Sequence, residues 1–250
     1  MESYKGFAEV YDVLMENAPY LDWADFIEGI LTQQEMRPCN ILDLGCGTGT
    51  LINYLSKRGY KIDGVDLSED MLAVAQQKNF HYKPVLIKQD MRKLHLPHKY
   101  DVILSMCDAV NYLRDKKSVL HTFQAVSEHL NDGGLFIFDA HSCHYLDTVL
   151  SDFSYADNAE DISYIWNCSA GSSRGEVEHE LTLFLKQKGN EYIRYDEVHI
   201  QKTFTEKTYI KLLEEAGLHR INTFADFSFD KPAPDSDRLF FIAKKIYKKQ

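Results

Sequence analysis

Apolar residues recur at helical spacing over residues 20 to 35, where Leu21, Trp23, Phe26, Ile27, Ile30 and Leu31 predict an amphipathic helix. From residue 39 the pattern changes to short, nearly continuous apolar runs: Asn40 to Leu44, Lys61 to Asp66, Val85 to Gln89, Tyr100 to Ser105 and Gly134 to Asp139. Helical periodicity returns between them at Gly49 to Arg58, Ser68 to Lys78 and Lys116 to His129. Ser68 suits an N-cap, and Glu69 and Asp70 behind it suit the positive end of a helix dipole. Strands apolar on both faces and separated by helices predict a parallel sheet covered on both sides. Right-handed crossovers then make the fold α/β and doubly wound.

The alternation stops after residue 150. Ile162 to Ala170, Glu176 to Gln187 and Glu191 to Thr203 read as three strands joined by glycine-containing turns, with no helix between them, which predicts an inserted antiparallel β meander. On its second strand Val177, His179, Leu181 and Leu183 share one face, opposite Glu176, Glu178 and Glu180; on the third, Tyr195, Glu197, His199 and Gln201 share a face. A helix over Glu206 to Ala216, stopped by Gly217, returns the chain to the α/β pattern. Two final runs, Leu218 to Phe227 and Arg238 to Lys244, lack an intervening helix and predict an antiparallel pair at the sheet edge around an exposed loop, Asp230 to Asp237.

The chemistry begins where the first strand ends. Ile41-Leu42-Asp43-Leu44-Gly45-Cys46-Gly47-Thr48-Gly49 is an apolar strand running into alternating glycines, which lets a ligand lie against bare backbone amides. A dinucleotide loop runs G-x-G-x-x-G, yet position 50 is Thr, and Asp43 would repel a pyrophosphate while attracting an ammonium or sulfonium group. Ligands in such sheets sit outside the carboxyl ends of the strands, where Asp66 could accept from ribose hydroxyls and Asp90 from an adenine amino group, with Leu67 and Met91 on the ring faces. The fourth strand ends in Ser105-Met106-Cys107-Asp108-Ala109-Val110-Asn111-Tyr112, which should line the same crevice.

These residues together resemble class I S-adenosylmethionine-dependent methyltransferases, over residues 36 to 150. Tyr4-x-x-Phe7-Ala8-x-x-Tyr11-Asp12 is similar to the segment with which uncharacterised bacterial small-molecule methyltransferases, and those of ubiquinone and menaquinone synthesis, close over the cofactor. The resemblance implies a Rossmann-like, mostly parallel seven-stranded sheet, with residues 1 to 150 and 205 to 250 binding S-adenosylmethionine and residues 151 to 204 inserted as a substrate cover. It implies cofactor contacts from Tyr4, Phe7, Tyr11, Asp43, Gly45, Cys46, Gly47, Asp66, Leu67, Met71, Asp90, Met91 and Cys107. A proton leaving the acceptor could pass to Asp108, His141, His144 or His199.

Absences narrow the acceptor. The fourth strand lacks the Asp/Asn-Pro-Pro-Tyr/Phe run of enzymes that methylate exocyclic amino groups of bases, and Cys107 is not preceded by proline as in cytosine-5 methyltransferases. With 28 Lys and Arg against 38 Asp and Glu, the net charge of −10 argues against tracking a phosphate backbone. The basic tail Lys244, Lys245, Lys248 and Lys249 reads as a solvated terminus. Five cysteines without a C-x-x-C pair suggest neither a disulfide framework nor a zinc knuckle, and no apolar export segment or membrane span is evident, so the expectation is a soluble cytoplasmic enzyme acting on a small molecule. A nicotinamide-dependent oxidoreductase would need glycine at position 50, where this chain has Thr; a non-catalytic module on the same fold is the other alternative.

Overall fold

The computed structural model describes residues 4 to 246 apart from 38, 160 and 190; the side chains of residues 4 to 6 and 9, and the tail lysines 248 and 249, lie outside the described residues. The chain opens with α1 (Tyr4–Leu14) and α2 (Tyr20–Gln33). It then alternates β1 (Asn40–Leu44), α3 (Thr50–Lys57), β2 (Lys61–Asp66), α4 (Glu69–Gln76), β3 (Leu86–Lys88), β4 (Tyr100–Ser105), α5 (Lys116–His129) and β5 (Leu130–His141). After a short π-type turn (Tyr145–Val149) come β6 (Asp152–Asn158), β7 (Ile162–Ala170), β8 (Glu176–Lys186) and β9 (Tyr192–Lys202), then α6 (Glu206–Glu215), β10 (Leu218–Ala225) and β11 (Arg238–Lys245).

Seven strands form one sheet in the order β10-β11-β5-β4-β1-β2-β3. β1 to β5 run parallel, while β11 is antiparallel to β5 and to β10, as the helix-free spacing of the last two strands predicts. Successive residues of β1 and β4 feed two separate cores: Leu42 and Ile103 point toward α5 and α6 with Phe123 and Tyr209, while Ile41 and Leu104 point toward α2 and α3 with Ile27 and Leu55. Burial on both faces is why these runs read as continuous rather than alternating. Ser68 Oγ accepts from the Met71 N–H, capping α4 as expected. β5 starts earlier than its apolar run because Gly133 (φ +81°) and Gly134 carry a register shift against β4; a Cβ on Gly134 would lie 2.9 Å from the Asp101 carbonyl oxygen.

Strand order reverses between β1 and β4, since the chain leaves β3 at one edge and re-enters beside β1. The carboxyl ends of those two strands therefore flank a crevice. Residues 152 to 202 form a second, four-stranded antiparallel sheet, β6-β7-β8-β9, one strand more than the sequence pattern predicts. The extra strand, Asp-Phe-Ser-Tyr-Ala-Asp-Asn, is an exposed edge with little apolar alternation to mark it. As anticipated, Val177, His179, Leu181 and Leu183 of β8 and Tyr195, Glu197, His199 and Gln201 of β9 share the inward face, in direct register. α1 packs on one end of that face at Leu183 and Leu185, and the π-type turn packs on the other at Cys168 and Val177. No helix among the described residues is long and apolar enough to cross a membrane.

Candidate functional site

The bend after β1 is built on left-handed backbone: Gly45, Gly47 and Gly49 have φ of +86°, +52° and +74°. A Cβ at Gly45 would come within 2.8 Å of Ala109 Cβ, so the loop lies directly against the end of β4, whereas nothing stands within 4 Å of a Cβ built on Gly47. The amides of Gly45 and Cys46 donate to the Val65 carbonyl at 2.8 and 3.0 Å, and the Gly47 N–H donates to Asp66 Oδ2 at 2.7 Å. Asp66 Oδ1 accepts from the Ser68 N–H at 2.8 Å, so one carboxylate ties the glycine loop to the start of α4. Beside it, Asp43 is buried, and burial together with Asp66 pushes its carboxyl up to about 7. Two carboxylates facing one crevice, with no cation between them among the described residues, suit a positively charged group.

Around this loop the predicted residues fall into distinct settings. Leu67 stands on the rim, 66% exposed, and Met91 is half-buried near Gly45. Asp90 is held in a fork by Arg92, whose Nε lies 2.9 and 3.0 Å from the two carboxylate oxygens, and that hydrogen bonding holds its carboxyl below the usual range. Cys46 packs its sulfur against Gly64, where a Cβ would lie 2.7 Å from Sγ, and donates to the Gly47 carbonyl at 3.9 Å. Cys107 and Asp108 both sit at positive φ, +57° and +51°, a strained pair that swings the chain out of β4.

α1 closes the crevice from above. Phe7 lies 5.5 Å from the Tyr11 ring and 5.4 Å from the His199 ring, and it packs with Met71. Burial raises the Tyr11 phenol well above its ordinary value, with Tyr20, Cys107, Tyr112 and Asp108 adding to it. Asp12, unremarked in the sequence beyond its place in the motif, clamps the helix down. Thr48 Oγ1 and Thr50 Oγ1 donate to its Oδ1 at 2.5 and 3.0 Å, and Lys78 Nζ pairs with Oδ2 at 2.6 Å.

Between the sheets lies a buried polar chamber. Asp108 accepts from Gln201 Nε2 at 2.7 Å and from Arg238 Nη2 at 3.0 Å, and its Oδ1 lies 3.4 Å from His141 Nε2. Burial works against ionisation of Asp108, but His141 and Arg238 override it and hold the carboxyl well below the carboxylate range. Arg238 Nη1 also donates to Asp139, whose other contacts are the Trp23 indole N–H at 2.9 Å and the Asp108 N–H at 3.0 Å. His141 stacks on Tyr145 with centroids 4.6 Å apart, and its Nδ1 is buried without a hydrogen-bond partner. His199 joins the chamber, its imidazole pushed down by burial; His144 lies outside it against Thr148.

Arg238 and Asp139 were not singled out by the sequence, and His179 only as a member of a strand face. Arg238 reaches the site only because β11 pairs with β5 so that Arg238 faces His141, a register that no local pattern announces. His179 sits opposite His199 across β8 and β9; Trp166 Nε1 donates to its Nδ1 at 3.1 Å, and burial drives it down to about 4 against the pull of Asp108. A depression of about 500 Å³ lined by Arg37, Arg58, Tyr60, Lys61 and Asp101 lies at the amino ends of β1 and β2, far from all of these residues.

A methyltransferase-domain family model matches residues 41–134, the stretch from β1 to the start of β5. Over 246 residues the chain is 42% identical to YqeM of Bacillus subtilis (strain 168), provisionally named a methyltransferase, covering 97% of each. A solved S-adenosylmethionine-dependent methyltransferase from Clostridium acetobutylicum ATCC 824 superimposes with a TM-score of 0.85 at 30% identity, over 98% of this chain and 99% of that one. Over 134 residues, 53% of this chain and 56% of the relative, it is 30% identical to dTDP-3-amino-3,4,6-trideoxy-alpha-D-glucopyranose N,N-dimethyltransferase of Streptomyces venezuelae. Similarity spanning nearly the whole length, joined to a glycine loop and fold of this kind, means that the chain belongs to the S-adenosylmethionine-dependent methyltransferases.

Proposed function

We propose that the protein methylates an oxygen, nitrogen or sulfur atom of a small molecule held between the strand ends and the second sheet, with His141 taking the acceptor's proton. The residues present fit S-adenosylmethionine: a bare backbone at Gly47, carboxylates at Asp43 and Asp66, and a buried Asp43 whose raised affinity for protons a bound cation would relieve. When bound, the cofactor supplies a methyl group on a positively charged sulfur, so alignment and exclusion of water carry much of the catalysis. Asp43 and Asp66 orient it, α1 with Phe7 and Tyr11 covers it, and residues 151–204 cover the acceptor. The Cys107–Asp108 bend presents the acceptor side of the crevice.

The observation that carries the reading is the His141 imidazole. It stands at the end of β5, next to β4, with Asp108 3.4 Å from Nε2 and its Nδ1 buried and unpaired. Arg238 Nη2 lies 3.3 Å from the same nitrogen, so Nδ1 is the base only in the tautomer that turns the Nε2 proton to Asp108, as in an Asp–His pair. The acceptor of the Streptomyces venezuelae relative, an amino sugar by its name, is consistent with a small molecule.

Calorimetry with S-adenosylhomocysteine, followed by transfer of labelled methyl groups to a panel of small amines and alcohols, tests this. His141→Asn is expected to leave the cofactor Kd within about twofold and to lower kcat about 10²-fold or more. An unchanged kcat in that variant removes His141 from the role, and cofactor binding without turnover of any acceptor favours a non-catalytic module.

A further inference from the structure

We infer that Gln201, on the second sheet, is the positioning residue that sets which ring nitrogen of His141 carries the proton, an inference that rests on the reading of His141 as the base and deepens it. The ring meets two groups of opposite demand through one nitrogen. Nε2 lies 3.4 Å from Asp108 Oδ1, a carboxylate oxygen that only accepts, and 3.3 Å from Arg238 Nη2, which only donates. A proton on Nε2 satisfies the aspartate and leaves Nδ1 as the base, whereas a proton on Nδ1 turns Nε2 into an acceptor for arginine and removes the base. The choice turns on how the aspartate is held. A guanidinium can take both oxygens of a carboxylate in a fork, as Arg92 does with Asp90. Arg238 reaches Oδ1 alone, at 3.0 Å, because Oδ2 is held by Gln201 Nε2 at 2.7 Å. Oδ1 therefore stays turned toward the histidine. Freed from Gln201, the carboxylate could rotate about its Cβ–Cγ bond onto the guanidinium and leave Nε2 to Arg238.

Gln201 is itself held in place. Its side chain is buried and also hydrogen-bonds to His179, which accepts from Trp166 Nε1 at 3.1 Å. A carboxylate demands the amino end of the amide, so the side chain has one orientation. Neighbouring bonds from the end of β9 fix the histidine backbone. Asn111 Oδ1 accepts from the His141 N–H at 3.0 Å while Asn111 Nδ2 donates to the Lys202 carbonyl at 3.1 Å, and Thr203 Oγ1 donates to the His141 carbonyl at 2.6 Å. These bonds stand where a strand neighbour would, because the pairing of β4 with β5 ends at Ser105 and Phe138, short of His141. The second sheet thus places the ring through its backbone and its proton through one amide.

The test is nuclear magnetic resonance of the full-length protein, isotope-labelled at its histidine ring nitrogens and held at about pH 8, where the imidazole is neutral. Two-bond proton–nitrogen correlations report which nitrogen is protonated, and His141 is assigned by the loss of its signals in His141→Asn. In the wild type the Nε2 tautomer is expected to exceed the Nδ1 tautomer by about tenfold or more. Gln201→Met keeps the length of the side chain without its amide and should bring the two tautomers to within about threefold of each other. Thr203→Val loosens the same end of β9 from the His141 backbone without touching Asp108, and should leave the ratio as in the wild type. Should the methionine variant not fold, Gln201→Asn, whose amide falls a methylene short of Asp108, should move the ratio in the same direction. An unshifted ratio in the Gln201 variant that folds, or an equal shift in Thr203→Val, overturns the inference and leaves His141 as the base. A wild-type ring protonated on Nδ1 overturns both readings, whereas tautomers as expected with an unchanged kcat in His141→Asn overturn the base alone.

Discussion

Thr48 Oγ1 donates to Asp12 Oδ1 at 2.5 Å, joining the glycine loop to a helix 36 residues earlier in the chain. Lys78, two residues past α4, completes the junction through Asp12 Oδ2. The contact lies above the crevice rather than within the hydrophobic core, so its loss should free α1 without unfolding the sheet.

Asp12→Ala is therefore expected to weaken S-adenosylhomocysteine binding about tenfold, equivalent to about 1.4 kcal/mol, with a change in Tm of no more than a few degrees. Asp12 is partly exposed. Burial raises its carboxyl, but Lys78, Thr48 and Thr50 outweigh that and lower it from 3.8. A lowered carboxylate contributes stability that is present above the unfolded value and is lost as pH falls through the folded one. Cofactor affinity measured down a pH series should thus show an extra loss below about pH 4 that the Asp12→Ala variant lacks. Equal affinities for the two proteins at neutral pH would mean that α1 closes by packing alone.

Asp43 has the opposite sign. Its carboxyl rises from 3.8 to about 7, because it is buried and faces Asp66. The folded state holds that proton more tightly than the unfolded chain. The resulting penalty is absent below the unfolded value, grows between the two values and is complete above the folded one. Without cofactor, Asp43→Asn should match the wild type near pH 4 and exceed its Tm increasingly up to pH 7 to 8, while losing affinity for the sulfonium cofactor. In the wild type, affinity should fall as pH drops below about 7, since the cation must displace a proton. Parallel Tm curves for the two proteins would remove Asp43 as the source.

Much of this arrangement is legible along the chain because it is local. Asp43, Gly45 and Gly47 lie in one strand and its loop, and Asp66 ends the next strand, so the rule that ligands sit at carboxyl ends reaches them without tertiary information. The parallel, doubly wound character of the sheet follows in the same way from short apolar runs alternating with helices, while its seven strands are implied by the family resemblance and their order is shown by the structure. Arg238 and Asp139 escape because they meet only through an antiparallel register formed by the last strand, 99 residues apart. β6 escapes because an exposed edge strand needs no apolar alternation. His179 is visible as part of an inward face, yet its role depends on Trp166 from a neighbouring strand.

Asp66 supports two structures at once. Its oxygens accept from the Gly47 and Ser68 amides, which leaves further lone pairs for ribose hydroxyls. Asp66→Ala should reduce cofactor affinity by about 2 kcal/mol through lost charge-assisted bonds. Asp66→Asn can still accept from one amide through its single carbonyl oxygen, and should retain more affinity than the alanine variant. Calorimetry giving wild-type affinity for Asp66→Ala would exclude it from the site.

Arg238 is the keystone of the chamber, and removing it exposes the cost of the two carboxylates it neutralises. Its guanidinium binds Asp139 and Asp108 while stacking 5.1 Å from the Trp23 ring centre, and Asp139 is fully buried. Burial tends to lower its basicity, but the two aspartates reverse that and raise it. Deleting one member of a buried charge cluster leaves the others unpaired and typically costs about 3–5 kcal/mol, whereas removing both partners costs less. Arg238→Met should lower the stability measured by urea unfolding by about that amount. Adding Asp139→Asn should restore part of it, because the uncompensated charge is gone and the Trp23 indole N–H can still donate to the amide oxygen. If the double variant is less stable than the single one, the coupling between Arg238 and Asp139 is not electrostatic, and packing against Trp23 is what Arg238 supplies.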